Sequence, residues 1–186
     1  MDISLPDDAL SLFDPLTPSG TILVVTGGRG VGKTTLCQQA IEQYRKAGLK
    51  VSGILSPGRF ENHRKNGIFA EDLESHETRL TASSVPGEID GIRFGYWNFD
   101  SSVFEWGNQR LLNLTETDIL VIDEIGFFEF DLNTGWKACF DALNSKKYRM
   151  ALVVIRPECI DNFSSMGYEF KIKEVSNLLP QPNLKM

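Results

Sequence analysis

The segment GGRGVGKTT, residues 27–35, combines glycines with a lysine and two threonines at a spacing that suits phosphate chemistry. It matches G-x-x-x-x-G-K-[ST] at every fixed position. The glycines allow backbone N–H groups to curl around anionic oxygens, and the start of a helix adds a partial positive charge. A plain glycine turn between a strand and a helix is the alternative. The segment predicts a P-loop that binds a nucleoside triphosphate or diphosphate through Gly27, Gly28, Arg29, Gly30, Val31, Gly32, Lys33, Thr34 and Thr35.

Three side chains of this loop have separate expected roles. Lys33 should reach the β- and γ-phosphates and so take part in catalysis. The Thr34 hydroxyl should bind Mg²⁺, which makes Mg²⁺ the expected cofactor. Thr35 is expected to contact the α-phosphate.

A second group of chemical interest ends the apolar run DILVIDE, residues 118–124. Asp123 is expected to hold Mg²⁺ opposite Thr34, directly or through water. The adjacent Glu124 can orient and deprotonate an attacking water, which is the work of a general base. A solvated strand end is the alternative interpretation of Glu124.

Because phosphoryl transfer accumulates negative charge on the γ-phosphate, an arginine close to it is the third expected component. Arg156 is the first candidate, since it ends a predicted strand on the same rim of the sheet. Arg29, inside the loop, is the second. Arg59 and Arg64 lie in the polar stretch PGRFENHRKNG and could close over substrate as a lid. A solvated surface position is the alternative for each arginine.

Alternating strands and helices must position these groups. TILVVT, residues 21–26, is typical of a strand buried on both faces, and helical periodicity follows the loop as far as Gly48. Ser102 and Glu105 have the spacing of a capping box. Further strands are predicted at 50–56, 118–124, 149–157 and 168–176, further helices at 100–114, 133–147 and 157–167, and short hairpin strands within 68–97.

This element order predicts an α/β fold of three layers with a mainly parallel central sheet. In such sheets ligands bind at the carboxyl ends of the strands, where the loop and Asp123 should meet. Residues 1–18 are expected to form an irregular arm, 19–176 the domain, and 177–186 a tail. Hairpins inserted at about 56–98 separate the two halves of the domain.

Composition excludes some classes of function. The net charge of −6 argues against a general nucleic-acid-binding surface. The apolar runs are far shorter than the roughly 20 residues that a membrane helix needs. The N-terminus lacks a secretory signal and the three cysteines form no CxxC pair, so we expect a cytoplasmic protein without a membrane or nucleic-acid partner.

An aromatic group occupies the middle of the chain, and its members are Tyr96, Trp97, Phe99, Phe104 and Trp106. Packing in the core is the favoured interpretation of these side chains. Stacking of one of them on a nucleobase is the alternative.

The segments VVTGGRGVGKTTL, KVSGILSP and VIDEIGFFEF together resemble a family of small P-loop nucleoside-triphosphatases with members in thermophiles and a human cancer-related member. The resemblance implies a RecA-like core and Mg²⁺-dependent hydrolysis of ATP, GTP and other nucleoside triphosphates. It places a recurrent glutamate at Glu129, with either a positioning or a surface role.

The chain departs from the family pattern at three places. Phe127 and Phe128 stand where Pro-Met is common, Tyr96 precedes Trp97 where a basic residue is usual, and Arg156 replaces a histidine or another basic residue. These changes concern the base pocket and a supporting arginine, and they leave the phosphate-binding residues intact.

Three functions fit the motifs. The leading hypothesis is a nucleoside-triphosphatase that uses water as the acceptor of the γ-phosphate. A small P-loop kinase for a nucleotide or metabolite is the second, and a nucleotide-binding adaptor with little turnover is the third. The sequence is compatible with a monomer and with an oligomer.

Overall fold

The computed structural model describes residues 18–176, so the predicted arm up to residue 17 and the predicted tail lie outside the described residues. The strands of this part are β1 Thr21–Thr26, β2 Val51–Leu55, β3 Gly58–Glu61, β4 Arg64–Asp72, β5 Thr78–Ser83, β6 Ile92–Phe94, β7 Trp97–Phe99, β8 Thr117–Ile125, β9 Tyr148–Ile155 and β10 Phe170–Glu174. The helices are α1 Lys33–Lys46, α2 Ser101–Leu112, α3 Phe127–Phe130, α4 Cys139–Ser145 and α5 Ile160–Ser165, the last preceded by a 3₁₀ turn at Pro157–Cys159.

One sheet holds the described strands in the order β10-β1-β9-β8-β2-β4-β5-β7-β6, with β3 paired to β4. The first five strands of this order are parallel to one another. From β2 outward every pair is antiparallel. The sheet therefore has a parallel core and an antiparallel extension built from the segment between β2 and α2.

Both faces of the parallel core are covered, because alternate residues of each central strand enter two separate apolar clusters. In β8, Leu120 and Ile122 pack with residues of α2, α4 and α5, whereas Ile119 and Val121 pack with residues of α1. Each of these four residues is fully buried. The arrangement explains why the strand sequences are continuously apolar instead of alternating.

Two local expectations were wrong. The capping box at Ser102 and Glu105 does not form, because α2 begins at Ser101 and Asp100 caps it by accepting from the Ser102 N–H at 2.9 Å. The helix predicted over 133–147 is shorter, since it forms only at Cys139–Ser145. Gly135 has φ +70, and the Trp136 N–H donates to the Glu129 carboxylate. The residues before Cys139 therefore form a turn instead of the first part of a helix.

The polar stretch PGRFENHRKNG forms a hairpin of its own. Strands β3 and β4 pair within it, and Asn62 and His63 make the turn with φ +47 and +61. Strand β4 therefore begins at Arg64, four residues before the predicted strand at 68–73.

Among the described residues, no helix combines the length and apolar character required to cross a membrane.

Candidate active site

The loop between β1 and α1 is shaped by glycines that adopt positive φ. Gly27 has φ +146, and a Cβ atom there would lie 2.4 Å from the carbonyl oxygen of Val175. Gly32 precedes α1 with φ +100 and offers no side-chain cap to the helix. The first N–H groups of α1 are therefore available to anionic oxygens, as the motif predicts.

Lys33 folds back over this loop. Its Nζ atom donates hydrogen bonds to the carbonyl oxygens of Gly27 and Gly28 at 2.8 and 2.9 Å. The residue is only 9% exposed. The ammonium group therefore lies inside the curve of the loop, where phosphate oxygens would be bound.

Asp123 connects the end of β8 to the loop. Its carboxylate accepts a hydrogen bond from the Thr34 hydroxyl and another from the Ser56 N–H at 3.2 Å. Ser56 also donates its hydroxyl to the Asp123 carbonyl oxygen. Burial, with a contribution from the Glu124 charge, raises the pKa of Asp123 to about 7. The structure thus brings Thr34 and Asp123 together, as the two motifs predict.

Glu124 and Arg156 meet at the same edge of the sheet. Asp123 pairs with Val154 and Ile125 with Ile155, so Glu124 lies at an irregularity in the register between β8 and β9. Arg156 follows β9 directly and donates from Nε to Oε1 of Glu124 at 2.5 Å. Burial lowers the pKa of Arg156, but the Glu124 carboxylate outweighs that effect and the net shift is upward.

Glu129 is buried at 8% exposure, so the surface role left open for it does not apply. Its two carboxylate oxygens accept hydrogen bonds from the Gly126 N–H at 2.8 Å and the Trp136 N–H at 2.6 Å. Burial raises the pKa of Glu129 to about 7. Glu129 therefore organises the backbone that follows Glu124.

The aromatic residues mostly pack against one another. Phe128, which lies outside the predicted aromatic group, is the centre of these contacts, with its ring centroid 5.4 Å from that of Phe94, 4.6 Å from Phe99 and 5.6 Å from Phe104. Phe104 and Trp106 are buried, in agreement with the favoured interpretation. The remaining pair, Tyr96 and Trp97, is in contact with tilted rings whose centroids lie 5.2 Å apart, and Tyr96 is exposed.

The other predicted residues occupy less central positions. Arg29 is exposed within the loop, and Thr35 is half-buried in the first turn of α1. Arg59 donates to both carboxylate oxygens of Glu88, at 2.8 and 2.6 Å. This ion pair holds Arg59 within the hairpin region, so it is not a free lid residue. Arg64 is exposed next to the hairpin turn.

Sequence reasoning missed two residues of the site, Ser56 and Lys65. Ser56 follows β2, which lies beside β8, and its bonds to Asp123 depend on that pairing. Lys65 lies on β4 and interacts electrostatically with Glu124 and Asp123. The basic character of PGRFENHRKNG was the available signal, but within that stretch only Arg59 and Arg64 were expected to approach the substrate.

The chain is similar to known proteins over most of its length. The sequence model of a family described as NTPase matches residues 22–177. The nucleoside-triphosphatase THEP1 of Caldivirga maquilingensis is 26% identical over 152 residues, which cover 82% of this chain and 86% of that relative. The nucleoside-triphosphatase THEP1 of Thermococcus kodakarensis is 30% identical over 148 residues, which cover 78% of this chain and 81% of that relative.

A solved structure has a similar fold. The solution structure of a human cancer-related nucleoside triphosphatase superposes with a TM-score of 0.66 at 24% identity, covering 85% of this chain and 90% of that one. This likeness confirms the predicted α/β class with a sheet that is parallel in its core.

Proposed function

Because this chain belongs to the NTPase family and is a nucleoside-triphosphate hydrolase, we propose that it is a Mg²⁺-dependent enzyme in which Glu124 activates the attacking water. The observation that carries this proposal is the hydrogen bond between Thr34 of the loop and Asp123 of β8. It joins the phosphate-binding segment to the strand end that bears Glu124. The proposed substrates are ATP and GTP among other nucleoside triphosphates.

The loop binds the polyphosphate chain. Backbone N–H groups of the loop and of the first turn of α1 donate to the phosphate oxygens, and Thr35 contacts the α-phosphate. Lys33 exchanges the carbonyl oxygens of Gly27 and Gly28 for oxygens of the β- and γ-phosphates. Charged acceptors are stronger partners for an ammonium group than neutral carbonyls, so the exchange is favourable. The full set of proposed contacts is Gly27, Gly28, Arg29, Gly30, Val31, Gly32, Lys33, Thr34 and Thr35.

The residues around Asp123 fit a Mg²⁺ ion. Thr34 and Asp123 offer oxygen donors side by side, and Mg²⁺ prefers oxygen ligands and completes its shell with water and phosphate oxygens. The described residues contain no cluster of three or more His, Cys, Asp or Glu side chains that would hold a metal by itself. A site built from one hydroxyl, one carboxylate and the substrate agrees with that finding. When bound, Mg²⁺ would neutralise charge on the β- and γ-phosphate oxygens.

Glu124 acts as the general base. It accepts a proton from a water molecule while the water oxygen forms a bond to the γ-phosphorus. The bond between the γ-phosphorus and the β,γ-bridging oxygen breaks, and the products are the nucleoside diphosphate and inorganic phosphate. Arg156 first holds the Glu124 carboxylate and then pairs with the γ-phosphate, where charge develops.

Purified protein tests this mechanism by release of phosphate from Mg²⁺-ATP and Mg²⁺-GTP. Glu124→Gln should lower kcat by about 100-fold or more, because a general base contributes at least that much. Glu116→Gln is the matched control, since Glu116 precedes the opposite end of β8. Full phosphate release by Glu124→Gln, with contaminating activity excluded, would refute the role of Glu124.

Cytoplasmic location is part of the proposal. Cys37, Cys139 and Cys159 are free and buried. Free thiols at all three positions suit a reducing compartment.

A further inference from the structure

The β3–β4 hairpin directs two basic side chains to opposite faces. Arg59 pairs with Gly67 and Phe60 pairs with Lys65, so Asn66 is an extra residue that forms a β-bulge. Paired residues of antiparallel strands share a face, and neighbouring residues of one strand alternate. Lys65 therefore lies on the face of Phe60, and Arg59 on the other. Bulges of this kind re-aim side chains and are frequent next to active sites.

Gly58 leaves room for the Lys65 side chain. A Cβ atom at Gly58 would lie 2.9 Å from Cε of Lys65 and 2.8 Å from the ring of Phe60. The lysine stem therefore crosses the start of β3, two residues after Ser56. Since Ser56 is bound to Asp123, this path brings the Lys65 side chain to the edge of the site.

The Lys65 side chain is exposed, and its ammonium lies within electrostatic range of the charged groups of the site. Partial desolvation lowers the pKa of Lys65, and the carboxylates of Glu124 and Asp123 act in the opposite direction. Arg156 and Arg29 lower it further by repulsion. Three cations thus share two carboxylates, and a polyanion entering between them would relieve their repulsion.

We propose that Lys65 is a further catalytic residue, which binds the γ-phosphate from the hairpin side while Lys33 binds it from the loop side. The inference rests on the proposed function and extends it. Both ammonium groups come from the same chain. Lys65 would contact oxygens of the transferring phosphoryl group, where negative charge increases on the way to the transition state.

Lys65→Met tests the proposal because it removes the charge and keeps much of the side-chain volume. We expect kcat to fall by about 100-fold, the loss typical of removing one donor to a developing charge. The Kd of a β,γ-imido triphosphate analogue should rise by about tenfold. The Kd of the diphosphate should stay unchanged, because it lacks the γ-phosphate. Lys65→Arg should restore part of the lost kcat.

Lys171→Met is the matched control, since it removes the same charge from an exposed position on β10, the strand at the far edge of the sheet. It should keep wild-type kcat and wild-type affinities, and both variants should unfold at the wild-type Tm. Wild-type kcat and unchanged analogue binding in Lys65→Met would overturn the role of Lys65 and leave the proposed function intact. Equal weakening of diphosphate and analogue binding would also overturn it. A wild-type protein that releases no phosphate would instead refute the proposed function.

Discussion

Nε of Arg156 lies 2.5 Å from Oε1 of Glu124, so the arginine expected to serve the γ-phosphate and the carboxylate expected to activate water are bound to each other. Their side chains are 30% and 34% exposed. Ion pairs with such access to solvent contribute roughly 1 kcal/mol or less to stability. Phosphate oxygens can therefore compete for the arginine, and the exchange would free Glu124 as substrate arrives.

Arg156→Met should lower kcat by about 1,000-fold if Arg156 neutralises charge in the transition state. Diphosphate affinity should change little. Arg149→Met is the control, because Arg149 lies at the other end of β9 and also faces a carboxylate, Asp118, at 3.5 Å. Phosphate release at saturating Mg²⁺-ATP measures the effect. A kcat above the wild-type value would contradict this role and indicate that Arg156 only restrains Glu124.

Asp123→Asn should abolish the dependence of hydrolysis on Mg²⁺ concentration together with most of the activity. The amide keeps an oxygen for the Ser56 N–H but lacks the negative charge that a divalent cation requires. Asp118→Asn alters a carboxylate at the far end of β8 and should leave the Mg²⁺ titration unchanged. Wild-type Mg²⁺ titration curves in Asp123→Asn would show that Asp123 does not bind the metal.

Glu129 should make stability depend on pH. Its pKa in the folded protein is about 7, against an ordinary value of 4.5 in the unfolded chain. The folded state therefore keeps a proton that the unfolded state releases, so this stabilisation is complete below about pH 4.5 and is lost as pH rises through about 7.

Urea unfolding at pH 5 and pH 8 measures this effect with Glu129→Gln, which cannot titrate. The free energy of unfolding of wild type minus that of the variant should decrease from pH 5 to pH 8. Glu105→Gln, on the exposed side of α2, should show a constant difference. A constant difference for Glu129→Gln would contradict the raised pKa.

Gly27→Ala should destabilise the fold more than Gly48→Ala. Both glycines have positive φ, which costs other residues about 1–3 kcal/mol. A new Cβ at Gly27 would also overlap the Val175 carbonyl oxygen, whereas nothing lies within 4 Å of a Cβ at Gly48. Urea unfolding of the Gly27→Ala and Gly48→Ala variants measures the two losses of free energy of unfolding. Equal losses would mean that the Val175 segment moves aside without cost.

The parts of the site that depend on local pattern were predictable from sequence. The loop, α1 and β8 follow from motif and periodicity over short windows, and parallel pairing then brings Thr34 to Asp123. The family was likewise predicted from residues of these segments, and the match of the family model confirms it.

Features that depend on register and on contacts between distant segments were not predictable. Because of the bulge at Asn66, Lys65 and not Arg59 lies on the face of β3–β4 that we assign to the site. No residue type in the hairpin predicts this bulge. The Trp136 N–H bonds to Glu129 from seven residues away, which shortens the helix expected there. Asp100 and not Ser102 caps α2, because the helix begins at Ser101 and the cap is the residue that precedes it.

Phe128 lies four residues after Glu124 and touches Phe94, Phe99 and Phe104. Two of these rings belong to the antiparallel extension and one to α2. Excision of β3–β7 to obtain a minimal enzyme would therefore remove two of the three packing partners of Phe128, in the segment next to the proposed general base. The antiparallel strands are part of the frame that holds Glu124 in place, and a shortened chain lacking them should lose turnover even with its P-loop complete.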